Sequence, residues 1–447
     1  MKKNALSRRD VLRGLSATAL VGLAGAACSA PSKPASAPAA GAPTAAPAAA
    51  EKITIRFHHR VGGECDHYTF EAGEFMKTHP NIEMKAECFP GADYFQKLNT
   101  LAAGGTLGDV WWISSIEGYY RLAATGVSAP VDDLIKTANF DLGQLYKQNV
   151  DAAKLNGKMY GIPQLAHPGR VGLFYYKPVF DAAKVDYPND KWTYDDLVAT
   201  AQKLTNAKDQ VWGFMDPERG YFSILPYLRA FGGDVINEDG TKCPLSSAES
   251  KAGLQFISDL YNKFKVADKP GASTLGAQQL CAANKLGMYQ AGFWGNTIRD
   301  YVKAGTWDVA PMPIGPIKKR GSMFECDPVC LSSTSQHKTE AFEFMALVAG
   351  HDAQLRYLQN AGAPSPRPDV MQDPEVQKDT TMKVFAGIMA DAMPLVLPAN
   401  FRETEYFKYI GEALSAIWLG EKTVDDILDE VTKGSQAILD KPSLASS

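Results

Sequence analysis

The 447-residue chain carries 46 Lys and Arg against 50 Asp and Glu, a formal charge of −4. That balance, with no basic cluster, argues against nucleic acid as a partner. The 45% hydrophobic content supports a large buried core, and the length leads us to expect two lobes. Beyond the first 27 residues no apolar run approaches the roughly 20 residues that cross a bilayer.

Residues 1–28 form a targeting segment. Ser7, Arg8, Arg9, Asp10, Val11, Leu12 and Arg13 match a twin-arginine export signal, with Val11 where Phe is commoner. The apolar run 14–27 of Ala, Gly and Leu suits a signal core better than a membrane span. It ends at Gly25, Ala26, Ala27 and Cys28, which resembles a lipobox with Gly25 at the usual Leu position. The expectation is therefore a diacylglyceryl group on Cys28, holding the protein on the outer face of the cytoplasmic membrane. Residues 29–51 are almost entirely Ala, Pro, Ser and Gly, too poor in apolar side chains to bury a core. They read as an extended tether reaching roughly 60 Å.

With Cys28 assigned to lipid, Cys65, Cys88, Cys243, Cys281, Cys326 and Cys330 remain. Six cysteines in an exported protein suggest disulfides, and the sequence alone permits 15 connectivities. The expectation is local pairing, 65 with 88, 243 with 281, and 326 with 330, with free buried thiols as the alternative.

Residues 52–58 alternate as a strand, 68–78 follow as an amphipathic helix, and strand 82–88, helix 94–103 and strand 110–113 come next. This β-α-β-α-β order predicts a mainly parallel sheet with ligands at the carboxyl ends of its strands. Those ends are His58, His59, Arg60 and the loop to Glu64, then Ser114, Ser115 and Glu117. Residues 155–180 (LNGKMYGIPQLAHPGRVGLFYYKPVF) read as a turn, a short strand, a proline-bounded crossing and an apolar strand. A Pro/Gly-rich crossing of this kind is how two α/β lobes are joined by a narrow hinge. Further on, 194–204 reads as a helix, 232–260 as a hairpin before a long helix, and 285–294 as a strand ending in a turn. Residues 307–313 read as a second crossing and 338–348 as a helix after the return.

Several of these segments carry a resemblance. "NGKMYGIP", "LFYYKPVF" and "WTYDDL", with "LGDVWW", "LAATGVSAPVDDL" and "KLGMYQAGFW", resemble the extracellular solute-binding proteins of ABC sugar importers over roughly residues 52–440. The resemblance implies an α/β, two-lobed periplasmic-binding-protein-like fold, each lobe a mainly parallel sheet flanked by helices, joined by a multi-crossing hinge. The first lobe is expected from 52–165 and 311–349, the second from 166–310 and 350–447. It implies a monomeric receptor, not an enzyme, that takes a carbohydrate between closing lobes and delivers it to the permease subunits without a cofactor. Set beside the maltodextrin-binding branch, Trp294 falls on a stacking Trp, Tyr221 on a stacking Tyr and Phe407 near a third platform. Ser115 and Glu117 occupy the polar segment after the third strand. Ile113 and Gly411 replace a Trp and an Arg of that branch.

The residues support a sugar site independently. A pyranose offers an apolar C–H face and a rim of hydroxyls, so its sites combine aromatic platforms with fixed carboxylate, amide and guanidinium partners. The expected ligand-facing set is His59, Glu64, Ser114, Ser115, Glu117, Tyr221, Trp294, Arg367 and Phe407. No GxSxG, HExxH, P-loop or metal-type CxxC pair occurs, although paired acids such as Asp132 and Asp133 admit glycosidase chemistry. His58, His59, Cys65 and His67 could supply metal donors, but adjacent histidines on a strand point to opposite faces, so no metal is assigned. A polyol, sugar phosphate or metal complex is the alternative ligand on the same fold.

Overall fold

The computed structural model describes residues 52–446 apart from Ala92, Pro270, Ala272, Ala390 and Asp391. The signal, Cys28 and the tether lie outside the described residues. Among the described residues eleven strands appear in chain order: β1 (Ile53–Arg60), β2 (Ile82–Phe89), β3 (Val110–Trp112), β4 (Lys154–Leu155), β5 (Lys158–Met159), β6 (Gly161–His167), β7 (Gly172–Tyr176), β8 (Trp212–Met215), β9 (Leu286–Ala291), β10 (Trp307–Pro311) and β11 (Glu325–Leu331).

They form a five-stranded sheet, β2-β1-β3-β11-β6, and a four-stranded sheet, β10-β7-β9-β8, beside the short β4-β5 hairpin. The amino-terminal β-α-β-α-β unit gives parallel β1, β2 and β3, as its order predicts. Strands that enter by crossing between sheets run the other way: β11 is antiparallel to β3 and β6. In the second sheet β7 is antiparallel to β9 and β10, and only β8 and β9 are parallel. The sheets are thus more mixed than expected, because a chain that crosses directly from one sheet to the next has no helical return to restore its direction.

The chain leaves the first sheet at His167 and enters the second at Gly172, returns between Pro311 and Glu325, and each sheet has its own apolar core. Phe57, Tyr68, Trp111, Phe344 and Tyr357 lie in one; Phe174, Tyr227, Tyr261, Tyr289 and Tyr406 lie in the other. The helix His351–Ala361 stacks Tyr357 on His67, with ring centres 4.9 Å apart. It therefore packs with the first sheet's layer beyond residue 349, where the sequence reading ended that lobe.

Two local expectations change. The first helix begins at Gly63, not at Tyr68, with Glu64 and Asp66 in its first turn, where the helix dipole favours acidic side chains. Residues 232–247 form turns without a strand pair. There Asn237 Oδ1 accepts the backbone N–H groups of Thr241 and Lys242, a local side-chain turn that competes with a ladder.

Cys65 and Cys88 are bonded, whereas Cys243, Cys281, Cys326 and Cys330 are free and buried. Cys326 and Cys330 share strand β11. Four residues of extended chain separate them by about 13 Å, too far for a bridge. Cys243 instead lies in the loop whose backbone N–H donates to Gln436, while Cys281 sits on the helix Ala277–Ala282.

Strand β8 packs tightly on the helix Tyr194–Leu204. A Cβ at Gly213 would fall 2.1 Å from the Ala201 carbonyl oxygen, so backbone meets backbone with no side chain free to yield. Gly213→Ala is expected to cost about 1–3 kcal/mol of overpacking, read as a lower midpoint in urea denaturation with an unchanged slope.

Candidate functional site

The carboxyl ends of β1 and β3 meet the two crossing segments, and charged and aromatic side chains from both sheets converge there. Arg60 closes β1 and donates to Glu64 on the first helical turn, from Nε to Oε2 at 3.0 Å and from Nη2 to both carboxylate oxygens at 2.7 Å. Its guanidinium lies 4.3 Å from the Trp112 ring centre, a cation–π arrangement. Glu64 thus stands in the first turn of the helix after β1, not in a loop, with its charge already paired.

His59 does not present its ring to a ligand. It is fully buried and stacked between Tyr68 and Trp112, at 4.7 and 5.1 Å. Its Nδ1 accepts the Arg60 backbone N–H at 2.7 Å, and burial pulls its pKa down to about 4. His58 faces the other way and accepts the Gly108 N–H through Nε2 at 2.6 Å. The alternation of a strand thus turns both rings to packing roles.

After β3, Ser115 Oγ accepts the Cys326 backbone N–H at 3.2 Å and ties this turn to β11. Ser114 is buried beside Glu325 and helps hold its charge. Glu117 is partly buried, and desolvation together with the charges of Glu325 and Asp327 raises its pKa.

The centre of the group is Glu325, 1% exposed. His167 Nδ1 lies 3.4 Å from its Oε2 and 3.5 Å from Asp327 Oδ2. Arg170, in the crossing between β6 and β7, donates from Nη1 to Glu325 Oε1 at 3.2 Å and from Nε to Glu218 at 2.6 Å. Burial alone would push Glu325 up, but His167 and Arg170 hold it below the ordinary carboxylate value. For His167 burial opposes the charge, yet Glu325 and Asp327 outweigh it and raise the imidazole to about 9.

Trp294 follows the end of β9 and is partly buried. Its six-membered ring rests on Gly292, where a Cβ would fall 2.0 Å from Cζ3; any larger residue would displace the indole. The ring meets His167 edge-on at 5.2 Å, and Arg170 lies over it at 4.9 Å while also covering Phe222 at 5.0 Å. Tyr221 and Phe407 pack against each other at 4.2 Å, with Phe222 on Phe407 at 4.9 Å. They are 3% and 8% exposed, so both back the Phe222 wall and show little ring surface of their own.

Arg367 does not join this constellation. It is buried, donates from Nε and Nη2 to Asp369 at 3.0 and 2.7 Å and lies against the Ala349 carbonyl, a helix-anchoring role. Sequence reasoning missed Arg170, His167, Glu325 and Asp327. The available signal was the acid pair at i and i+2 inside an otherwise apolar strand, where a buried charge demands a partner.

Glu403, at the start of the helix Glu403–Ala413, is buried and pushed up to about 7 by desolvation. It lines a neighbouring hollow with Arg121 and Lys408. Among the described residues the convergent set therefore offers guanidinium, carboxylate, imidazole and hydroxyl groups beside indole and phenyl rings. Such a mixture can bind polar ligands that have an apolar face.

Residues 72–384 match the family model described as bacterial extracellular solute-binding protein. A binding protein of Brucella abortus (strain 2308) is 26% identical over 384 residues, covering 82% of this chain and 88% of that protein. A lactose-binding protein of Rhizobium radiobacter is 25% identical over 252 residues, 54% of this chain and 57% of the other. An ABC substrate-binding protein from Listeria monocytogenes, solved in complex with cycloalternan, superposes with a TM-score of 0.76 at 24% identity, covering 87% of this chain and 99% of that one. The GacH receptor of Streptomyces glaucescens gives 0.75 at 22%, covering 88% and 99%. The architecture is accordingly the two-lobed α/β fold of periplasmic binding proteins.

The raised pKa of His167 makes a signed prediction. Its contribution to stability is fully present below the unfolded-state value of about 6.5 and is lost as pH rises through about 9. In EDTA-treated protein, the stability difference between wild type and His167→Gln should be constant at acid pH down to 5.5 and shrink between pH 6.5 and 9. An NMR titration of the His167 ring should show a midpoint near the upper end of that window.

Proposed function

The chain belongs to the bacterial extracellular solute-binding proteins, and we propose that it is the carbohydrate-capturing component of an ABC importer. In this reading an exported lipoprotein, anchored through Cys28 after twin-arginine export, binds a mono- or oligosaccharide between its lobes. It hands the ligand unaltered to the permease as a monomer. The observation that carries the reading is the placement of Trp294 and Phe222 beside the fixed pair of Arg170 with Glu218 and Glu325, with the Arg60–Glu64 pair seated on the buried Trp112. Rings supply a surface for C–H groups and the ion pairs supply donors and acceptors for hydroxyls. The relative named for lactose and the neighbour solved with cycloalternan support the same ligand class.

The two crossings at residues 168–171 and 312–324, together with the chain passing after residue 362, leave few covalent links to resist bending. We assign the lobes to the two sheets, so that ligand contacts made from both sides favour a closed state. Calorimetry against a panel of mono- and oligosaccharides tests the reading, with mass spectrometry of the released ligand. Micromolar binding of at least one sugar, recovered intact, is expected. No binding across the panel, or a hydrolysed product, counts against it.

Trp294→Ala is expected to weaken sugar binding about thirtyfold, the loss of roughly 2 kcal/mol typical of a central aromatic. The ligand-free melting temperature should change little, because the indole is only partly buried. A collapse in melting temperature would instead mark it as a packing residue. Cys28→Ala should release the protein from membranes while leaving sugar affinity unchanged, as followed by fractionation and calorimetry.

A further inference from the structure

We propose that His167, Glu325 and Asp327 form a binding site for a divalent transition-metal ion of the zinc type, set in the hinge-side strands. Nothing in this proposal requires the ligand of the cleft to be a sugar.

The strand register creates the site. On β11, Glu325 and Asp327 are two residues apart and share one face. Across the antiparallel pair, His167 at the end of β6 stands opposite Glu325, and Asp327 stands opposite Leu165. One imidazole and two carboxylates are thereby brought to a common point, with donor atoms from all three within 4.8 Å of one another.

The two separations from His167 fit a metal better than a closed ion triad. His167 Nδ1 is 3.4 Å from Glu325 Oε2 and 3.5 Å from Asp327 Oδ2. Donors bound at about 2.0–2.1 Å to a tetrahedral zinc ion stand about 3.4 Å apart, whereas charge-assisted hydrogen bonds draw to about 2.7–2.9 Å. Glu325 Oε2, Asp327 Oδ1 and both His167 ring nitrogens are buried without a hydrogen-bond partner. Glu325 and Asp327 are 1% and 3% exposed, so these lone pairs are turned into the protein and not into water, and the charge of His167 compensates them without a closed hydrogen bond.

Arg170 does not close the site. It occupies Glu325 Oε1, leaving Oε2 for the ion, so that Glu325 would link the guanidinium and the metal. Two carboxylates balance a divalent charge, and the ion takes the position that the imidazole proton otherwise fills. Nitrogen with carboxylate oxygen suits zinc and its neighbours, not calcium or magnesium, which prefer oxygen shells.

The test uses untagged, EDTA-treated protein titrated with zinc chloride in the calorimeter, without any sugar. One ion per chain is expected, together with a higher melting temperature. Asp327→Asn, which keeps the shape and removes the charged donor, should weaken zinc binding at least tenfold. A crystal of wild-type protein grown with zinc should show an anomalous peak between the three side chains, a readout that needs no variant. Stoichiometry far below one, unchanged affinity in Asp327→Asn, or a peak elsewhere would overturn the site. Because sugar binding is measured separately, failure of the metal site and failure of the carbohydrate reading are distinct results.

Discussion

The structure depends on the burial of one carboxylate. Glu325 begins β11, the strand that brings the chain back into the first sheet, and at 1% exposure its charge cannot be left uncompensated. The compensation comes from several directions: His167 from the neighbouring strand, Arg170 from the crossing that leaves it, and Ser114 from the turn after β3. Each donor comes from a different stretch of chain, so satisfying this single charge fixes how the ends of β3, β6 and β11 converge. Arg170 then carries the constraint to the second sheet, because its other hydrogen bond reaches Glu218 and its flat face covers Phe222 and Trp294.

A second layer of packing holds this arrangement rigid. Trp112 lies between the Arg60 guanidinium and the buried His59 ring, and His59 in turn stacks on Tyr68. On the other side Phe407 backs both Tyr221 and Phe222. The polar groups are therefore seated on aromatic rings that cannot easily change rotamer, which keeps donors and acceptors in place before a ligand arrives. Pre-organisation of this kind limits the conformational entropy lost on binding.

The residues explain which parts were legible in the sequence. The β-α-β-α-β start was readable because alternation in β1 and β2 and helical spacing between them are local signals. The first crossing was readable from Pro168 and Gly169, although β6 continues through Pro163 to His167, whereas the stretch 307–313 expected as the second crossing is mostly strand β10 and the chain crosses at 312–324. Cys65 pairs with Cys88 as the local pairing expected, joining the first helix to β2. The strand directions of the second sheet were not readable, since pairing β7 between β9 and β10 is a long-range choice. The site was legible by position more than by role. Glu64, Ser114, Ser115, Glu117 and Trp294 stand at the ends of β1, β3 and β9, whereas His59 is enclosed by rings and Arg367 is held by Asp369. Such outcomes turn on which face of an element is covered by a distant one, as when the helix after Arg402 brings Phe407 over Tyr221.

The same geometry bears on where binding energy can come from. The charged groups at the cleft are already paired with one another, so a ligand hydroxyl that inserts between them exchanges one set of hydrogen bonds for another, and such exchange yields only about 0.5–1.5 kcal/mol for each bond. The Trp294 face is covered by Arg170, which a stacked ring would have to displace or share. Displacement leaves Glu325 with less compensation, a penalty that rises with its burial. A ligand is therefore favoured if it covers apolar ring surface and also returns a donor to Glu325 or Glu218. Selectivity follows from that double requirement, because an apolar molecule without a correctly placed hydroxyl would strand the buried carboxylate, and a polar molecule without an apolar face would gain nothing from the indole.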